Sequence, residues 1–157
     1  MVKGGHELLE DPIAQELLES TIPARLAYNW KDGSPRVVPI WFHWDGTNIV
    51  MGTLSVAPKT KALKTGDRVA ITIDTDDAPH HVLSIRGTAV VTEVEGMVEE
   101  YALAAGRYLG KEQGDSYIRT LPPRLGMVRI AVSPDEIVIL DFETRFPSAV
   151  SVVGLAP

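Results

Sequence analysis

Arg36-Val37-Val38-Pro39-Ile40-Trp41-Phe42-His43-Trp44-Asp45-Gly46, continued by Ile49-Val50-Met51-Gly52-Thr53 and then by Lys59-Thr60-Lys61-Ala62-Leu63-Lys64, decides how this chain is read. Two apolar runs flank Asp45-Gly46, a dipeptide that accepts the positive φ of tight turns, so they predict a β-hairpin. The second run passes through Thr53 and Ser55 into a lysine-rich segment that Pro58 opens, which predicts a basic helix starting at a strand end. Such a junction suits an anionic group, phosphate above all. Backbone N–H groups, hydroxyls and ammonium groups hold the charge while a flat ring lies along the neighbouring strand.

Pro39 sits inside the first run and cannot donate to a ladder, so the strand is at an edge or bulged there. In an extended chain Val37, Pro39, Trp41 and His43 share one face, and Val38, Ile40, Phe42 and Trp44 the other. Both faces need cover. A flat ligand with its own donors and acceptors supplies it; so does a position between the core and a subunit interface. The lysines also carry two readings. Lys59, Lys61 and Lys64 form a phosphate clamp with Thr53 and Ser55, or the lysines are a solvated helix face.

Working outward, Asp11-Pro12 starts a helix with its cap and first residue, and Ile13, Leu17 and Leu18 recur at helical spacing up to Ser20. Residues 24–30 and 36–44 read as strands around the turn-forming Lys31-Asp32-Gly33-Ser34-Pro35. Val69, Ile71 and Ile73 alternate as in a half-buried strand, and residues 81–94 form a long one. Met97, Tyr101, Ala104 and Tyr108 mark a helix over residues 95–110. Residues 125–132 and 136–142 pair as a hairpin around Ser133-Pro134-Asp135. About seven short strands with few helices predict a mainly β, α+β fold, a small antiparallel barrel.

The 157 residues are the size of one domain, so a single domain over 1–157 is expected, and 45% hydrophobic residues is ordinary for a packed core. A net charge of −6 opposes binding to a phosphate backbone, and nucleic acid is not expected as a partner. With no cysteine there is no thiolate ligand or thiol nucleophile, so redox chemistry requires a cofactor. His6, His43, His80 and His81 have no metal-ligand spacing, and no metal is expected. Neither a signal peptide nor a run of membrane-spanning length is visible, which makes the cytoplasm the expected location.

Ala24-Arg25-Leu26-Ala27, Asp32-Gly33-Ser34-Pro35-Arg36-Val37-Val38-Pro39-Ile40-Trp41-Phe42, Lys59 with Leu63, Arg68-Val69-Ala70 and Val82-Leu83-Ser84-Ile85-Arg86-Gly87-Thr88-Ala89 follow one another in a telling order and spacing. In this the chain resembles the pyridoxamine 5′-phosphate oxidase-like, FMN-binding split-barrel superfamily, especially its flavin- or deazaflavin (F420)-dependent oxidoreductases. The resemblance implies an antiparallel split β-barrel that binds FMN or F420 at a homodimer interface. It implies hydride transfer to or from a small unsaturated or oxidised organic molecule, with no obligatory catalytic side chain. By the same resemblance Val37, Val38, Pro39 and Ile40 lie along the ring, and Thr53, Ser55, Lys59 and Lys61 hold the phosphate. Arg86 and Gly87 lie near the interface, to which residues 146–155 contribute an arm.

Two departures set this chain apart from true pyridoxamine-phosphate oxidases. Their strand lysine is replaced here by the continuation Ile40-Trp41, and their C-terminal arginine and histidine pair is not reproduced around Arg145-Phe146. Vitamin B6 oxidation is therefore not implied. A non-enzymatic carrier or sensor of a flavin, F420 or another flat ligand is the alternative, since a site without an obligatory acid or nucleophile leaves no signature that separates them. Lys61, Lys64 and Arg68 add positive charge suited to the glutamate tail of F420.

Overall fold

The computed structural model describes residues 1–122 and 126–148. In chain order these form β1 (Val2–Gly4), a 3₁₀ turn (His6–Glu10), α1 (Pro12–Glu19), β2 (Ala24–Asn29), β3 (Pro35–Ile40), β4 (His43–Trp44) and β5 (Ile49–Leu54). A second 3₁₀ turn (Pro58–Lys61), β6 (Arg68–Asp74), β7 (Val82–Glu95), α2 (Glu99–Leu109), α3 (Lys111–Thr120) and β8 (Gly126–Leu140) follow. Helix α1 begins as its sequence dictates: Asp11 Oδ1 accepts from the Ile13 N–H at 3.0 Å, and Pro12 occupies the first turn.

The strands make one antiparallel sheet in the order β3-β2-β6-β7-β8-β5-β4, with β1 also paired to β8. The long strands β7 and β8 are its spine, paired from Val82 with Leu140 to Glu95 with Gly126. Strand β6 takes the other edge of the first half of β7, while β5 and β1 share the other edge of β8. Each end of the spine thus carries its own group of strands, the architecture of a split barrel. Leu17 and Leu18 of α1 close the core over Leu26, Ile71, Ile85, Ile137 and Ile139, all fully buried. Among the described residues no helix is long and apolar enough to cross a membrane.

Four local expectations are corrected. The hairpin expected around Ser133-Pro134-Asp135 is instead the single strand β8. Arg86 faces Glu136 and Gly87 faces Pro134, so Asp135 has no partner and the segment is a β-bulge. Gly87 makes this possible, because a Cβ there would lie 2.3 Å from the Ser133 carbonyl oxygen. Bulges also tolerate proline, which has no N–H to leave unpaired.

The strand expected over residues 36–44 breaks after Ile40, and Trp41 and Phe42 leave the ladder. Phe42 is fully buried, and its carbonyl accepts from the Arg107 guanidinium on α2, which replaces the missing strand partner. The expected basic helix is one 3₁₀ turn, in which the Thr60 hydroxyl donates to the Ser55 and Ala57 carbonyls and Leu63 is then buried. So short a turn has no helix dipole to offer. Finally, the helix expected over 95–110 begins only at Glu99 and is followed by α3, for which the sequence carried no expectation. Gly110, at φ 83°, turns the chain between them. Residues 149–155 of the expected dimer arm lie outside the described residues; Phe146, at its start, accepts a 2.7 Å hydrogen bond on its carbonyl from the Met1 ammonium.

Candidate functional site

Where β3 ends and β5 passes beneath α2, a cleft of about 430 Å³ opens. One wall is Pro39, Ile40 and Trp41, with Pro23 beside them; Gly52, Thr53 and Leu54 form the floor with Met127. Lys59, Tyr101 and Tyr117 complete it. The volume falls within the roughly 300–1,000 Å³ range of small-molecule sites.

Gly52 allows the helix to come this close: a Cβ at this position would lie 2.7 Å from that of Tyr101. The two phenol oxygens of Tyr101 and Tyr117 are 2.7 Å apart. Trp41 packs against both tyrosines, with ring centroids 6.1 and 6.0 Å away, and stacks on Tyr108 at 5.1 Å. Burial, followed by the hydrogen bond shared with Tyr117, pushes Tyr101 well above the ordinary phenol range, so it stays neutral at physiological pH.

Lys59 supplies the cleft with positive charge. Its Nζ donates to Thr53 Oγ1 at 3.1 Å, and Thr53 is buried. The ammonium is itself half-buried, which lowers its pKa, and no carboxylate pairs with it among the described residues. An anion reaching this position would meet a charge not already neutralised.

Of the eight expected site residues, the cleft brings together Pro39, Ile40, Thr53 and Lys59. Val37 is 66% exposed and lies outside the lining, and Val38 packs against the core. Ser55 is exposed beyond the strand end, its N–H donating to the Gly126 carbonyl at 3.0 Å, and Lys61 is exposed outside the lining. Arg68 is engaged by Asp135 and Thr88, which leaves it unsuited to a cofactor tail. Sequence reasoning missed Trp41, Tyr101 and Tyr117 as site residues. Tyr101 reads as one more residue of a buried helical stripe, and Tyr117 falls on α3.

Residues 11–137 match the family model described as pyridoxamine 5′-phosphate oxidase. No curated protein sequence matches the chain at a significant level. Among solved structures, an F420 reductase is similar at 22% identity and a TM-score of 0.58, over 79% of this chain and 94% of its own. HutZ, the heme storage protein of Vibrio cholerae, is 19% identical with a TM-score of 0.57, over 82% of this chain and 94% of its own. General stress protein 26 of Bacillus anthracis is 14% identical with a TM-score of 0.58, over 82% of this chain and 92% of its own. At such identities these likenesses establish the shared fold.

Proposed function

Since this chain belongs to the pyridoxamine 5′-phosphate oxidase family, we propose that its cleft holds FMN or F420 and that the protein is an oxidoreductase acting on a small unsaturated or oxidised organic molecule. One observation carries this reading. An ammonium without a carboxylate partner, Lys59, lies half-buried beside the Thr53 hydroxyl at the end of a cleft whose wall is the last stretch of an edge strand. The donor set fits a phosphate, and the flat apolar wall at Pro39 and Ile40 fits a ring system. The edge of β3 away from β2 has no strand partner among the described residues, so its backbone groups are free to pair with a ring's polar edge.

In this reading Lys59 and Thr53 bind the phosphate, while Pro39 and Ile40 orient the ring. Trp41, Tyr101 and Tyr117 keep water from the reacting face. The bound flavin or deazaflavin supplies the hydride chemistry. The whole chain, 1–157, acts as one such domain, and two copies associate through the outer face of β3, where Val37 is exposed.

An ultraviolet-visible spectrum of the purified protein, with mass spectrometry of the released ligand, tests the proposal. Flavin or deazaflavin absorbance, followed by turnover with a reductant, is the expected result. Protein that is colourless and takes up neither cofactor in titration would overturn it; cofactor uptake without turnover with any reductant or acceptor would identify a carrier instead.

A further inference from the structure

The cleft has a second polar feature besides Lys59. Two phenols bring two hydroxyl hydrogens; one lies between Tyr101 and Tyr117, and the other is left for a third atom. Neither hydroxyl has another partner among the described residues. The surroundings make that hydrogen selective: Trp41 lies against both rings, Leu54 and Met127 line the cleft nearby, and among the described residues the only charged side chain of the lining is Lys59. With no carboxylate in the lining among the described residues, nothing there offsets the desolvation of a cationic ligand.

The backbone is shaped to bring the pair together. Gly114 sits one turn before Tyr117, and a Cβ there would lie 2.7 Å from the Ala105 backbone, so α3 presses directly on α2. Gly52 does the same beneath Tyr101. Two glycine contacts thus bring the two phenol-bearing helices within hydrogen-bonding distance at the mouth of one cleft.

We infer that the Tyr101–Tyr117 pair determines specificity, donating its free hydroxyl hydrogen to the carbonyl oxygen of a planar, neutral or anionic aromatic substrate, and that the cleft rejects cations of the same shape. The inference rests on the cleft being the ligand site and names the class of substrate it takes. The pair acts as a donor because Tyr101 keeps its proton through neutral pH. A ligand of the same outline with no acceptor leaves the hydroxyl buried and unpaired, a cost that turns one oxygen atom into selectivity.

Ligand-observed NMR titration with 2-acetylnaphthalene, 2-ethylnaphthalene and 1-(2-naphthyl)ethylammonium separates the terms, because the three share one outline. Wild-type protein should bind the ketone about three- to tenfold more tightly than the hydrocarbon, and the ammonium most weakly. The Tyr101→Phe/Tyr117→Phe double variant should abolish the ketone preference while keeping the rings, because either single variant still leaves one hydroxyl free to donate. Melting curves check that the double variant folds. Equal affinity of the wild type for ketone and hydrocarbon, or a preference that survives in the double variant, would overturn the inference. FMN and F420 titrations of the same wild-type protein keep the two readings apart: failure to bind either cofactor counts against the cofactor assignment alone, while the ketone preference is scored from its own data.

Discussion

Arg129 of β8 holds Glu100 at the start of α2 with two hydrogen bonds to one carboxylate oxygen, Nε at 2.9 Å and Nη2 at 2.6 Å from Oε1. Arg129 is also the residue directly across the ladder from Gly52, on which Tyr101 rests. A charged clamp and a missing side chain therefore act on neighbouring residues of one helix. The clamp sets where α2 begins, and the glycine sets how closely it approaches; together they fix the position of Tyr101 over the cleft.

Glu100→Gln keeps the shape of the clamp and removes its charge. Hydrogen bonds to charged groups are worth about 1.5–3 kcal/mol when buried and less when water competes, so a loss of about 1–2 kcal/mol is expected. Chemical unfolding would show it as a lower midpoint with an unchanged slope. An unchanged midpoint would mean that α2 is seated by packing alone.

Gly52→Ala places a methyl group against Tyr101 where no flexible chain end can yield. Overpacking of this kind costs about 1–3 kcal/mol. Ligand binding in the cleft should weaken in parallel, since α2 has to lift. Stability and affinity measured on one preparation check this, and a stable variant with normal affinity would contradict it.

Lys59→Ala should weaken FMN or F420 binding about ten- to a hundredfold, because one charge-assisted hydrogen bond is lost. Burial lowers the pKa of Lys59, so wild-type affinity should decline with rising pH before an ordinary lysine would titrate. Fluorescence titrations between neutral and alkaline pH provide the measurement. A flat profile, or an alanine variant with wild-type affinity, removes Lys59 from the phosphate site.

Asp141 anchors the turn after β8. Burial opposes its ionisation, but the Thr144 hydroxyl at 2.7 Å and the N–H groups of Glu143, Thr144 and Arg145 outweigh it and hold the pKa far below the ordinary value. A depressed carboxylate stabilises the fold above its unfolded pKa, about 3.9, and loses that contribution as pH falls towards the folded value. Melting temperature should therefore drop from about pH 4 downwards. Asp141→Asn should be less stable at pH 6 and show a flatter acid limb; parallel curves for the two proteins would refute the assignment.

The proposed homodimer rests on the outer face of β3, where Val37 is 66% exposed. Sedimentation at micromolar concentration should give twice the chain mass, and Val37→Glu should shift it towards monomer by burying a charge in the interface. A cofactor-loaded monomer would contradict this.

Much of the sheet was legible because strand signals are local. Alternation identified β6 and most of β7, Gly33 and Gly46 marked hairpin turns, and Asp11-Pro12 marked the start of α1. Of the cleft, Pro39 could be singled out because proline inside a strand is unusual in itself, Thr53 and Lys59 because a lysine follows hydroxyls at a strand end, and Ile40 through the family resemblance. Alternation also limits how much of residues 37–40 can share one environment: Val37 points away from the core that Val38 packs against.

What remained was decided by residues far apart in the chain. Whether Ser133-Pro134-Asp135 turns or bulges depends on the space left by Gly87 on the neighbouring strand. Whether the strand continues past Ile40 depends on Arg107 of α2 satisfying the Phe42 carbonyl. The aromatic end of the cleft is the extreme case. Trp41, Tyr101 and Tyr117 belong to a strand exit and two helices, and each taken locally reads as a packing residue. Amino-acid sequence alone determined that this chain forms an antiparallel barrel with a lysine beyond a hydroxyl-bearing strand end; tertiary structure alone placed two phenols in hydrogen-bonding contact beside it, because that contact depends on helix approach distances that no local pattern encodes.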